Sequence, residues 1–171
     1  MSELSVGSLS GLAANSYVID VASGSTLDVT NATGTLPSAQ LPSGSVLRVL
    51  STYTTDYFTT TSITAVDVPN FTLDITPSSA SNKILVMFSF GMVFNGTAGQ
   101  DCEFFINRDA TEIALDYVFE SSNANDQSAM AGHYLDSPNT TSSVTYKMTM
   151  EVNGGSGNVR RGSFTVMEIA G

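Results

Sequence analysis

The stretch Val144-Thr145-Tyr146-Lys147-Met148-Thr149-Met150-Glu151-Val152 alternates apolar and polar side chains without a break. Successive strand residues point to opposite faces, so Val144, Tyr146, Met148, Met150 and Val152 share one side and Thr145, Lys147, Thr149 and Glu151 the other. A strand with one face in a core and one in water follows. Working outward from this strand, the same alternation predicts eight strands, at 46–54, 63–76, 82–94, 102–108, 112–119, 129–135, 143–152 and 163–169. Turn formers separate them, notably Pro77-Ser78-Ser79-Ala80-Ser81, Asn95-Gly96-Thr97-Ala98-Gly99, Ser121 to Asn125, Ser137-Pro138-Asn139 and Asn153-Gly154-Gly155-Ser156-Gly157. No window carries a helical period. The second strand is expected to break near Pro69-Asn70, after which Phe71, Leu73 and Ile75 face inward.

Many short strands with turn-rich connections, in a chain of 171 residues, predict an all-β domain: a jelly-roll-like antiparallel β-sandwich. Residues 1–44 differ. They hold no Lys or Arg, are rich in Gly and Ser, and lack the apolar bulk for a core of their own. They read as an extended N-terminal anchoring arm leading, through Pro37 and Pro42, into a sandwich domain at 45–171. Ile84-Leu85-Val86-Met87-Phe88 and Phe104-Phe105-Ile106 are apolar on both faces, which predicts that part of the surface is covered by other copies of the chain, here expected as a homotrimer.

Charged residues make up 13% of the chain, about half the usual share, and sixteen acidic against six basic residues give a formal charge of −10. Such a balance repels nucleic acid phosphates and anionic membrane surfaces, so neither is an expected partner. Met1-Ser2-Glu3-Leu4 shows no basic n-region and no long apolar run, so no signal peptide or membrane span is expected. The adjacent cations Arg160-Arg161 read as a solvated turn.

Chemistry-bearing side chains are sparse. His133 stands alone, without a nucleophile motif beside it, and Gly154-Gly155-Ser156-Gly157 lacks the strand-to-helix setting of a nucleophile elbow. Cys102, between Asp101 and Glu103, reads as a small buried hydrophobe whose neighbours would raise its thiol pKa. Asp101 and Glu103 share a strand face, but calcium-loop spacing is absent and solvent exposure explains them better than a cation site. Catalytic, cofactor and metal residues are therefore expected to be none. The four sequons, at Asn31, Asn70, Asn95 and Asn139, arise from a Thr- and Ser-rich composition.

Four phrases carry a resemblance. They are Leu41-Pro42-Ser43-Gly44-Ser45-Val46-Leu47-Arg48-Val49-Leu50-Ser51-Thr52; the run from Phe71 through Thr76-Pro77-Ser78-Ser79-Ala80-Ser81-Asn82 to Val86; Ser142-Ser143-Val144-Thr145-Tyr146-Lys147; and Thr165-Val166-Met167-Glu168-Ile169. In this order, over residues 41 to 171, the chain resembles a β-rich module of virion proteins in marine and cyanobacterial tailed phages. The resemblance implies a structural protein on the outer surface of a virion and brings no catalytic residues. A tail fibre of this kind carries a long shaft and an adaptor, whereas a short arm precedes the module here. That favours a capsid decoration, or cement, protein binding the major capsid protein of the shell. The alternative is a tail fibre or receptor-binding tip that contacts tail proteins and holds host surface glycan, with Tyr117, Phe119 and Asn123 to Asp126 as candidate contacts.

Overall fold

The computed structural model describes residues 41–171, without the side chains of residues 115 and 116. The chain divides into a unit of Met1–Thr35 and a unit of Leu36–Gly171; the expected arm at 1–44 thus lies almost wholly outside the described residues. All regular structure among those residues is β-strand: β1 Val46–Thr60, β2 Val66–Ile75, β3 Lys83–Asn95, β4 Gln100–Arg108, β5 Thr111–Ser121, β6 Ser128–Asp136, β7 Val144–Val152 and β8 Gly157–Ile169.

The strands form two four-stranded antiparallel sheets, sheet A in the order β1-β8-β3-β6 and sheet B in the order β2-β7-β4-β5. Four pairs are nested: β1 with β8, β2 with β7, β3 with β6 and β4 with β5. The chain is thus one long antiparallel ribbon rolled up on itself, and β3–β8 and β4–β7 pairing closes each sheet. This is the jelly roll, in which the two rolled ends of the ribbon give each sheet its neighbours.

All eight expected strands form, and β7 is buried as its alternation requires, with Val144, Tyr146, Met148, Met150 and Val152 inside. The core between the sheets is aromatic at its centre. Phe90 of sheet A lies 4.7 Å from Phe71 and 5.0 Å from Phe104, both of sheet B, and 5.5 Å from Phe88. Offset ring contacts at this range add about 1 kcal/mol each beyond simple area burial.

Three expectations are corrected. First, β1 runs to Thr60 and β8 begins at Gly157, so part of the expected last turn is strand. Thr59 pairs with Asn158 and Thr60 with Gly157, while a side chain at 157 would collide with those of Val152 and Met150. The glycine that signalled a turn is there because the sheets approach too closely for a Cβ. Second, β2 is not broken at Pro69-Asn70: it continues through an irregularity between Asp67 and Thr72, with Asn70 in left-handed backbone at φ 66. Third, Arg160 and Arg161 are exposed but lie in β8, beside the register shift between Thr54 and Tyr57, not in a turn.

Each end of the sandwich is closed by buried polar groups. At the end where the chain enters and leaves, Gly44 N donates to Ala170 O (2.8 Å) and Ala170 N to Ser45 O (2.8 Å). Here Glu168, 1% exposed, accepts hydrogen bonds from the Ser78 amide (2.5 Å) and hydroxyl (2.7 Å) and from Asn82 Nδ2 (2.7 Å), fixing the β2–β3 connection. Burial raises the carboxyl pKa, but the Ser78 and Asn82 donors outweigh it, so Glu168 titrates below the ordinary carboxylate value. At the same end Asp136 of β6 accepts from Arg108 of β4 (3.0 and 2.8 Å) and from the Tyr146 hydroxyl of β7 (2.6 Å), tying sheet A to sheet B. Burial, and then the Asp136 carboxylate, push the Tyr146 hydroxyl well above its usual pKa.

Two predictions follow from this packing. A Cβ at Gly162 would run into the backbone carbonyl of Ser89, which cannot move without disturbing β3, and into the Phe71 ring; Gly162→Ala is expected to cost about 2 kcal/mol, read as a lower denaturant midpoint. Because the pKa of Glu168 is depressed by folding, its contribution is complete above the unfolded carboxylate value of about 4.3 and is lost as pH falls through the folded value. Denaturation from pH 7 to pH 2 is therefore expected to show the stability difference between wild type and Glu168→Gln shrinking as pH drops.

Candidate functional site

The ends of the sandwich are unequal. Opposite Ser45 and Ala170, the connections β1–β2, β3–β4, β5–β6 and β7–β8 come together, and one residue, Asn95, organises three of them. Fully buried, its Nδ2 donates to Asp101 O (3.2 Å) and Gly154 O (2.9 Å), and its Oδ1 accepts from Thr97 N (3.0 Å) and Ser156 N (3.2 Å). Its amide donates to Ser121 Oγ (2.8 Å), and its carbonyl accepts from Asn125 N (2.9 Å). The fourth connection is held by Val152 N donating to Ser62 O (2.9 Å). This end is thus a set of loops on a fixed base, the arrangement in which sandwich folds present recognition residues.

The six candidate glycan contacts divide there. Tyr117 and Phe119 pack against the core: the Tyr117 ring meets Phe88 edge-on at 4.8 Å, and its hydroxyl donates to His133 O (2.8 Å). Asn123 and Asp126 remain exposed in the β5–β6 loop with Ala124 and Asn125, where Asp126 Oδ2 accepts from the Asn123 amide and side chain (both 2.9 Å). Only the loop residues are presented outward.

The other singled-out residues do not converge. Cys102 is fully buried with its thiol 3.5 Å from Phe94 O, and burial pushes its pKa up to about 11, far from the thiolate a nucleophile needs. His133 is exposed on β6 opposite Met87. Asp101 and Glu103 lie on the outer face of sheet B, Asp101 accepting from Asn153 Nδ2 (2.8 Å) and Glu103 paired in register with Glu151. Among the described residues no three His, Cys, Asp or Glu side chains are grouped to hold a metal ion, and no helix is long and apolar enough to cross a membrane. Of the sequon asparagines, Asn95 is buried, Asn70 and Asn139 hold left-handed backbone (φ 66 and 53), a conformation Asn tolerates, and Asn31 lies outside the described residues.

The sequence did not signal how different the two outer sheet faces are. Sheet B turns Asp67, Asp74, Asp101, Glu103, Glu112, Glu120 and Glu151 outward, with Lys147 bridging to Asp67 at 2.7 Å. On sheet A the register sets out three rows without a carboxylate, lysine or arginine. The first, Val49–Met167–Leu85–Leu135, is wholly apolar, with Val49 51% and Leu135 49% exposed. The second is Ser51–Thr165–Met87–His133, with Met87 39% exposed. The third, Tyr53–Ser163–Ser89–Ala131, is small apart from Tyr53, 67% exposed. Between the second and third rows lies an open depression of about 360 Å³ bordered by Met87, Ser89, Ala131, His133, Ser163 and Thr165. Of the two segments expected to be apolar on both sides, 104–106 is covered within the chain, Phe105 being only 7% exposed although it faces out of sheet B, whereas 84–88 is open at Met87.

No family model matches the chain, and no curated protein matches its sequence. Among solved structures it is similar to the Gx strain of infectious bursal disease virus (14% identity, TM-score 0.47, over 70% of this chain and 32% of that one). It is similar also to the VP2 subviral particle of the same virus (13%, 0.46, 70% and 32%) and to a family 35 carbohydrate-binding module from Clostridium thermocellum (12%, 0.33, 70% and 98%). The chain spans about a third of the length of the viral chains it matches.

Proposed function

We propose that the chain is a non-enzymatic structural protein of a virion's outer surface, and more specifically a capsid decoration protein that binds the assembled shell as a homotrimer. The observation that carries this reading is the polarity of the sandwich. Both described chain ends lie at one end, stitched together through Gly44, Ser45 and Ala170, and the four loops, three of them organised by Asn95, lie at the other. A module tethered at one end and presenting loops at the other suits attachment to a surface. The phage-virion resemblance of residues 41 to 171 supports the same reading.

The mechanism is mass action. A protein that binds the assembled lattice and not its free subunits adds its binding free energy to shell stability. Three arms on one trimer raise occupancy through effective concentration, without requiring a strong contact from any single arm. The polar groups most able to do chemistry are committed to structure instead: Glu168 to the β2–β3 connection, Asp136 to Arg108 and Tyr146, and Asn95 to the loop base.

A second reading, a tail fibre tip holding host glycan, rests on the exposed Asn123–Asp126 loop at the end away from Ser45 and Ala170. Stoichiometry by mass spectrometry of the parent particle separates the two: hundreds of copies mark the shell, a few to a few dozen the tail.

Three outcomes test the primary reading. A thiol reagent at neutral pH is expected to label Cys102 only as fast as the chain unfolds, and His133→Ala is expected to leave the fold unchanged; a hydrolytic activity lost in His133→Ala at unchanged folding would contradict a structural role. Deletion of residues 1–44 is expected to leave a folded sandwich, seen by its thermal transition, that no longer co-sediments with emptied shells. Full occupancy by the truncated protein would move the attachment to the sandwich itself.

A further inference from the structure

We infer that the outer face of sheet A is the surface through which copies of this chain associate. The proposed homotrimer enters only in the expected number of copies; the face itself is argued from the geometry of the sheet.

Three properties of the face go together. It carries a continuous apolar row from one edge strand to the other, Val49 to Leu135, joined at its middle by Met87. Its serine and threonine hydroxyls are already paired across strands, Ser51 with Thr165 at 2.7 Å and Ser89 with Ser163 at 2.9 Å, so covering the face strands none of these four without a partner. Burying a hydroxyl without a hydrogen bond costs about 1–3 kcal/mol, and for these four that cost is absent. Its three rows hold no carboxylate, in a chain of net charge −10 whose other sheet turns seven carboxylates outward. Two copies meeting through sheet B would oppose acid to acid; meeting through sheet A they keep those charges far apart, on the outside.

The relief of the face fits a second copy. The apolar row stands about 14 Å from the small-residue row, two row spacings of roughly 7 Å, and the depression of about 360 Å³ lies beside that small-residue row. Every copy therefore carries both an apolar row and a depression on the same face. The apolar row of one copy lies over the depression of its neighbour, a contact that closes after two copies or, repeated head to tail, after three. The patch measures roughly 20 Å by 20 Å, on the order of 400 Å² per copy, about half of a standard specific interface, so a single such contact is weak and its association is concentration-dependent.

Sedimentation velocity of the full chain over a concentration series tests this. Wild type is expected to move from the 18.0 kDa chain mass to a multiple of it as concentration rises into the micromolar range and above. Met87→Glu with Leu135→Glu is expected to hold the chain at its single mass throughout, whereas Val118→Glu, an equally exposed apolar position on sheet B, associates like wild type. Peroxide oxidation of Met87 in the wild type, read by peptide mass, needs no variant and is expected to slow at least several-fold at the associating concentration. A wild type that stays at its single mass at every concentration, an unchanged assembly in the double variant, or Met87 oxidised equally fast in both states overturns the inference. A trimer supports both this face and the proposed trimeric decoration protein. A dimer supports the face and removes the trimer. Shells decorated by a chain that never self-associates refute the face and leave the virion reading standing.

Discussion

Phe90 holds the two sheets of this protein together. Its ring meets Phe71 and Phe104 of the opposite sheet and Phe88 of its own, so each sheet buries its inner face only because the other supplies the matching rings. Nothing local could do this. Phe71, Phe90 and Phe104 belong to three strands, and their meeting requires the ribbon to have rolled. Partners in the outermost pair stand as far apart in sequence as Val46 and Ile169, and closing such loops before their contacts form is an entropic cost that places jelly rolls among slowly folding topologies.

Once the sheets are stacked, their open ends become the weak points, because loops there carry polar groups that the core would otherwise strand. Two solutions operate. At the end of Ser45 and Ala170, charged groups are buried with their partners: Glu168 with Ser78 and Asn82, Asp136 with Arg108 and Tyr146. At the loop end Asn95 meets backbone donors and acceptors of two connections with its side-chain amide and reaches a third through its own backbone. No described buried side-chain nitrogen or oxygen is left without a partner, which is what a stable assembly of loops and strands requires. The consequence for function is that these residues, attractive as chemistry, are already occupied in holding the frame.

The asymmetry of the outer faces has the opposite character, since the core does not require it. A sandwich folds equally well with charges on both outer faces. Here the outward carboxylates gather on sheet B, and the three central rows of sheet A hold none, their serine and threonine hydroxyls paired with each other. Large exposed apolar surface is a liability in an isolated chain, and a continuous apolar row on sheet A is what gives that face a defined direction for association.

Period-2 alternation was enough to find all eight strands and to assign the inward side of β7, because a strand's faces are fixed by backbone geometry alone. The same alternation led to the all-β class, and composition made Cys102 a buried hydrophobe. It did not reach the ends of β1 and β8, where Gly157 was read as a turn although it is a strand residue that the opposite sheet leaves no room to enlarge. Nor could it show that Tyr117 and Phe119 are spent on the core while Asn123 and Asp126 stay exposed, or that Phe105 is covered and Met87 open. Alternation says which residues share a side of one strand, not which strands lie beside it. The neutral rows of sheet A and the acidic face of sheet B each combine four strands scattered along the chain, so their chemistry exists only once tertiary pairing has set the register.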